Sequence, residues 1–232
     1  MTTHHRRDRR RPLTAARRGA TVVMLGTVFA GLGGCQIFGF FAAANAEYQK
    51  TKPRDIDAVY DGLKGKTFAV VVAADRMVQA SYPGVVEEIT ARVSERLAKN
   101  TDRSGWIPPE KLLAHLYSNP RWVAMPRGEL ARELGVDRLI LIELTEFRLH
   151  EPGNQYTWDG AASGTVAVIE GESAMPDEFV FQRAVRVKYP DGTAFTPTDV
   201  AGSAVASVLV QRFTDRASWL FYTHKETGEM AY

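Results

Sequence analysis

Asp137-Arg-Leu-Ile-Leu-Ile-Glu-Leu-Thr-Glu-Phe-Arg-Leu-His150 is the strongest strand signal in the chain. Leu139 through Ile142 form a continuous apolar run, the pattern of a strand buried on both faces. The second half is mixed, as in a strand that leaves the core. The segment therefore predicts a central strand with one end reaching the surface.

Upstream, Phe68–Ala74 is a second apolar, valine-rich run of strand length. Pro83 is read as opening a helix in the position proline favours. Val86, Ile89, Val93 and Leu97 make one apolar stripe on it, with Glu87, Glu88, Arg92, Glu95, Arg96 and Lys99 opposite. Trp106-Ile107 is a short strand candidate. Pro108-Pro109-Glu110 starts another helix, with Leu112, Leu113, Leu116 and Tyr117 inward. Pro126 starts a third, with Leu130 and Leu134 inward and Gly135 as its terminator. Downstream, Glu151–Gly160 reads as a turn segment before a strand over Gly164–Glu170. Phe179, Phe181, Val185, Val187 and Tyr189 alternate with Gln182, Arg186 and Lys188, which marks a strand with one wet face. Thr198 or Asp199 is expected to cap a last helix carrying Ala201, Val205, Val208, Leu209 and Phe213. A short helix fits Ile56–Leu63. The order gives an α/β fold: a single α/β sandwich with a mixed, largely antiparallel sheet and packed helices.

The 232 residues are 45% hydrophobic and 24% charged, an ordinary globular composition that excludes wholesale disorder. The single cysteine excludes an internal disulfide and a thiolate-rich zinc site. The formal net charge of +2 averages two unlike parts. Residues 1–34 contain seven arginines against Asp8, while residues 35–232 hold 22 basic and 26 acidic side chains, a net charge of −4. A mildly acidic domain argues against nucleic acid as a partner and against an electrostatic hold on anionic lipid.

The basic amino terminus is followed by an uncharged run, residues 19–46, centred on Ala20–Ala30. At its end stands Leu32-Gly33-Gly34-Cys35. A basic end and a short apolar middle are what export machinery selects. The four residues resemble the lipobox of bacterial lipoproteins, in which the cysteine thiol is diacylated and the chain is cut before it. Two or three acyl chains anchor a protein stably where one does not. Gln36, rather than Asp, implies the outer membrane by resemblance to enteric lipoproteins. Three readings compete. The run is long enough to span a bilayer uncleaved, although Gly26, Gly31, Gly33, Gly34 and Gly39 weaken that reading. Ala44-Asn45-Ala46 has the form of an ordinary signal-peptidase site. A lone cysteine can also be a small buried hydrophobe. The expected organisation is a lipoprotein signal peptide over 1–34, a lipidated cysteine and tether over 35–65, and an α/β interaction domain over 66–232.

Chemistry is sparse. Gly65-Lys66-Thr67 imitates the end of a phosphate-binding loop, but Tyr60 stands where the first glycine belongs and the segment precedes a strand, so it reads as a turn. His115, His150 and His224 have no His or Cys at ligand spacing, so neither a metal nor another cofactor is expected. Glu143 and Glu146, three apart, fall on opposite faces of a regular strand. Asp159 beside Trp158 could line a sugar site, and with Glu146 it gives an alternative reading: an envelope hydrolase acting on cell-wall or sugar substrates. The candidates for partner docking are Trp158 and the aromatic tail, Trp219, Phe221 and Tyr222. The competing reading of that tail is a last core segment. Phe38–Phe41 is placed at the lipid surface by its nearness to Cys35.

Trp106-Ile-Pro-Pro, followed by Leu134-Gly135-Val136-Asp137 feeding an apolar strand, resembles a superfamily of periplasmic lipoproteins. It includes the curli-secretion lipoprotein, the penicillin-binding-protein activators and the amino-terminal domain of the Tol-system propeller protein. The resemblance covers about residues 66–215. It implies a non-catalytic role, binding an envelope partner or assembling into homo-oligomers. The barrel-forming hairpins of the curli member have no counterpart here.

Overall fold

The computed structural model describes residues 53–175, 177–192 and 195–226. The chain runs β1 (Arg54–Ile56), β2 (Thr67–Ala74), α1 (Arg76–Ser81), α2 (Val85–Asn100), β3 (Gly105–Trp106), α3 (Pro109–Ser118), a 3-10 turn (Pro120–Ala124), α4 (Arg127–Glu133), β4 (Arg138–Arg148), β5 (Gly160–Glu170), β6 (Phe179–Tyr189), α5 (Gly202–Trp219) and β7 (His224–Glu226). Leu32, Gly33, Gly34, Cys35 and Phe38–Phe41 lie outside the described residues, as does the proposed signal peptide.

Five strands form one sheet in the order β3-β2-β4-β5-β6, while β1 and β7 pair as a separate ribbon. β2 is parallel to both β3 and β4, and β4-β5-β6 is an antiparallel meander. This is the α/β architecture with a mixed, largely antiparallel sheet that the sequence leads one to expect, with Asp137–His150 supplying its central strand.

One sheet face is fully clad. Ile89, Val93 and Leu97 of α2 and Leu209 and Phe213 of α5 pack on Ile140, Ile142, Val166 and Val168. The two helices are joined by Arg96 to Asp215 and by Arg92 to Gln211 at 3.0 Å. The other face is clad only in part. Leu112 and Leu116 of α3 and Leu130 and Ala131 of α4 cover Ala69, Val71, Leu139 and Leu141. Beyond them β6 presents Gln182, Ala184, Arg186 and Lys188, all exposed.

The amino ends of the parallel pair are locked by one constellation. Asp137 Oδ2 accepts from the Thr67 amide at 2.7 Å and from its hydroxyl at 2.9 Å. The Asp137 amide donates back to Thr67 Oγ1 at 2.9 Å. These bonds, the Thr67 amide first, hold the Asp137 carboxyl below its ordinary range. Thr67 is thus committed to sheet register, and Gly65, at φ 65°, turns the chain into β2, as the turn reading of Gly65-Lys66-Thr67 requires.

Several local expectations are corrected. Ile56–Leu63 is not a helix. Its first residue ends β1, and Leu63, 1% exposed, anchors the stretch in the core. Residues 54–65, read as tether, therefore pack with the domain. Pro83 does not open α2. The helix begins at Val85 behind Gly84, whose φ of 90° only glycine adopts freely. A short helix, α1, intervenes; Asp75 caps it by accepting from the Val78 amide at 2.8 Å. β5 starts at Gly160, four residues early. The last helix is preceded by Ala201, which makes no side-chain cap. Asp199 instead accepts from the Thr196 amide and hydroxyl at 2.9 and 2.7 Å, closing the loop before the helix. Tyr117 points outward and is 68% exposed.

Candidate functional site

β2 is flanked by two parallel neighbours, and the chain reaches them over opposite faces. It leaves β2 through α2 on the clad face to reach β3. It returns through α3 and α4 on the other face to reach β4. Connections that diverge in this way leave a crevice outside the carboxyl ends of the strands. Here that crevice is a cleft of about 1010 Å³.

Its floor is Leu116, Leu130, Leu139 and Leu141, with Ala73 and Ala74 from the end of β2. One wall is α1 and the Tyr82-Pro83-Gly84 corner, held by Gln79 Nε2 donating to the Ala74 carbonyl at 2.7 Å and by Tyr82 edge-on to Phe147 at 4.8 Å. The opposite wall is the end of α3 and the proline-bounded turn with Trp122, Val123 and Met125. Proline at the first position of both α3 and the 3-10 turn fixes where these elements begin. The cleft is open, and two large side chains of its lining stand out to solvent: Tyr117 is 68% and Val123 75% exposed.

Every carboxylate on the lining already has a donor. Asp75 caps α1. Glu87 accepts from the Tyr117 hydroxyl, a bond that ties α2 to α3 across the mouth and raises the Tyr117 pKa. Glu143 pairs with Arg127 at 3.3 Å, and the Arg127 guanidinium also lies 4.9 Å from the centre of the Phe179 ring. Asp177 accepts from the Gly128 amide at 2.9 Å. Arg76 makes no such contact among the described residues and stands exposed at the edge. The chemistry on offer is apolar and aromatic contact with a charged border.

The sequence-predicted docking residues lie elsewhere, and two are interior. Trp158 is 7% exposed; its indole N–H donates to the Val200 carbonyl at 2.9 Å and its ring stacks on His150 at 4.3 Å. Phe221 is 4% exposed and packs edge-on to Tyr60 and Phe181. Neither has surface to offer a partner. Trp219 and Tyr222 are half-buried, Trp219 stacking on His224 at 4.4 Å. The aromatic tail therefore closes the core, because Phe221 fills the space between α5 and the Tyr60 segment.

The carboxylates of the hydrolase reading are also placed. β4 carries a bulge between Leu144 and Glu146, so Glu143 pairs with Thr165 and Glu146 with Ser163. Thr165 and Ser163 share one face of β5. Glu143 and Glu146 consequently share a face too, which corrects the assignment to opposite faces. Glu146 accepts from Arg148 Nε at 2.8 Å and Ser163 Oγ at 2.9 Å, and these bonds, Arg148 first, hold its carboxyl below the usual range. An acid so held is ionised at neutral pH, the opposite of a proton donor. Asp159 meets the same arginine through its main-chain carbonyl, at 2.6 Å from Arg148 NH1. Among the described residues, no group of three or more His, Cys, Asp or Glu converges where a metal ion could sit.

The cleft was missed in the sequence because no motif marks it. Its nearest signal is the cluster Pro120, Trp122, Pro126, which reads locally as a helix connection.

No protein-family model matches the chain, and neither does any curated protein. Among solved structures it is similar to the PelC dodecamer from Paraburkholderia phytofirmans, at 13% identity over 74% of this chain and 97% of that one, with a TM-score of 0.42. It is also similar to lipoprotein GNA1162 from Neisseria meningitidis, at 11% identity over 62% and 92% of the two chains and a TM-score of 0.42. A third is protein XCC0632 from Xanthomonas campestris, at 12% identity, 72% and 90% coverage and a TM-score of 0.40.

Proposed function

We propose that this chain is a lipid-anchored protein of the bacterial envelope, with a non-catalytic α/β domain that docks a partner in the cleft beyond β2. The observation that carries the docking role is the cleft itself: an open apolar trough with an exposed Tyr117 and Val123 rim, whose carboxylates are all engaged. Acid–base catalysis needs a group free to exchange a proton with substrate, and these acids are held by donors of the fold. The anchor is supported by Leu32-Gly33-Gly34-Cys35 behind a basic and then apolar leader. No helix among the described residues is long and apolar enough to cross a membrane. The periplasmic face of the outer membrane, by the residue at Gln36, and kinship with the curli-secretion, penicillin-binding-protein activator and Tol-propeller lipoproteins belong to the same proposal. Within it, Asp137 of the shared Leu-Gly-Val-Asp segment acts as a register clamp for the central strand. The partner is an envelope protein or a second copy.

Mass spectrometry of the mature amino terminus tests the anchor. The expected result is a chain beginning at Cys35 and carrying acyl mass, with both lost in Cys35→Ala. A chain that begins upstream of Cys35, or one without acyl mass, overturns it.

A further inference from the structure

β6 is the long edge of the sheet. Among the described residues all of its ladder bonds go to β5, and no strand pairs with its other side. Over eleven residues, Phe179–Tyr189, it carries Arg183, Arg186 and Lys188 and no acid, in a domain whose overall charge is negative. Arg183 makes no ion pair among the described residues. The Arg186 side chain is 60% exposed, its nearest carboxylate, Glu146, at 3.8 Å.

Beside this edge lies a second depression of about 440 Å³. Four consecutive β6 residues, Arg183, Ala184, Val185 and Arg186, line it. Consecutive residues of a strand point to opposite faces, so a depression touching all four runs along the open edge. Ile56 and Val59 form the far wall, Trp219 and Leu220 contribute apolar surface at the end of α5, and His224 with the paired Arg216 and Glu226 completes the lining, so the acid there is already neutralised. Free backbone groups on one side, apolar side chains around it and cations along it make a slot for an extended strand.

The charges select the occupant. An antiparallel pairing of two β6 edges would gather six cations on one short ladder, and like charges facing one another destabilise it. Lysine and arginine on an edge act against such self-pairing. A strand with carboxylates at alternate positions presents them on one face, where they meet Arg186 and Lys188, while Arg183 stands on the opposite face beside the depression. We propose that β6 accepts an acidic, extended segment of a partner protein as a sixth strand, seated in this slot. This surface is separate from the cleft and does not depend on lipidation at Cys35.

The test uses the purified Cys35→Ser chain and a fluorescein-labelled hexapeptide alternating valine and glutamate, with a valine–lysine hexapeptide as its control. Anisotropy is expected to show binding of the glutamate peptide alone, weakened at least tenfold by Arg183→Glu with Arg186→Glu and by raising salt from 50 mM to 500 mM. Arg183→Lys with Arg186→Lys is expected to retain it. Hydrogen exchange is expected to slow in residues 179–189 when the peptide is bound, because outward amides of β6 gain acceptors. Binding without that protection overturns strand addition in favour of surface ion pairing. Equal binding of both peptides, or none, overturns the proposal. Protection of β6 that grows with protein concentration alone assigns the edge to a second copy instead.

Discussion

At their amino ends β2 and β4 are stitched by three hydrogen bonds between Thr67 and Asp137; beyond the carboxyl end of β2, over the face of β4, lies a cleft of about 1010 Å³. The same two strands thus have a closed and an open end. The closed end spends its polar groups on each other and sets Phe68 into a fully buried position. The open end turns apolar side chains toward solvent and lets helix termini, prolines and a glycine corner shape the space. Large losses of stability are expected from one end and losses of binding from the other.

The largest expected effect is at the closed end. Phe68 is 0% exposed, and Phe68→Ala removes a ring that the surrounding strands and α2 cannot collapse onto, costing about 3–5 kcal/mol in a denaturant titration. Asp137→Ala comes next, at about 1.5–3 kcal/mol, because it strips the charged acceptor from two Thr67 donors. Its pH dependence has a definite sign. The folded carboxyl titrates below its ordinary value, so its stabilisation is fully present above the unfolded pKa of about 4 and is lost as pH falls through the folded value. The gap between wild type and Asp137→Ala should therefore be widest at neutral pH and shrink below about pH 4. A constant gap from pH 7 to pH 2 would show that the carboxylate charge contributes nothing.

Gly164, on the neighbouring β5, lies opposite Leu144 at the edge of the bulge, level with the last residue of β2. A Cβ there would lie 2.6 Å from the Glu143 carbonyl oxygen and 3.1 Å from the Phe213 ring. Backbone on one side and a buried ring on the other cannot both yield, so Gly164→Ala is expected to cost about 1–3 kcal/mol in the same titration. An unchanged midpoint would mean that β4 relaxes at its bulge more easily than its dense pairing suggests.

These residues also show how far the sequence could be read. Strong periodicity survived translation into structure: the apolar run in β4, the alternation in β6 from Phe181 onward and the stripe on α2 all depend on which side chains must leave water, whereas a bulge turns Phe179 to the other face. What failed lacked periodicity. α1 is only six residues long and is set by the Asp75 cap. The first residues of β5, Gly160, Ala161 and Ala162, have weak strand preference and are recruited because small residues let α5 approach. The bulge before Glu146 reversed the facing of a carboxylate because one extra residue shifts a period of two. The aromatic tail was ambiguous in principle, since burial of Phe221 depends on Tyr60 and Phe181, distant in sequence. The cleft depends on where three helices stop, which no local pattern encodes. The reading of Cys35 rests on the sequence alone, since it lies outside the described residues.

The smallest stability effects belong at the open end, and they probe the contrast most directly. Val123 is 75% exposed on the rim, so Val123→Arg is expected to move the unfolding free energy by no more than about 0.5 kcal/mol. Tyr117→Phe keeps the ring and removes only the exposed bond to Glu87, which at neutral pH ties α2 to α3 and is lost as the phenol ionises above its ordinary value near 10. It should be similarly mild in the unfolding titration and should delete one late-titrating tyrosine from the ultraviolet pH titration. If the open end exists to dock a partner, Val123→Arg should abolish a photocrosslink formed in cells from a probe at Arg76, which lines the same cleft, while leaving the fold intact. A crosslink that survives Val123→Arg, or a rim substitution that unfolds the domain, would remove the distinction between the two ends. The cleft would then be a seam of the fold, shaped by where the helices happen to stop.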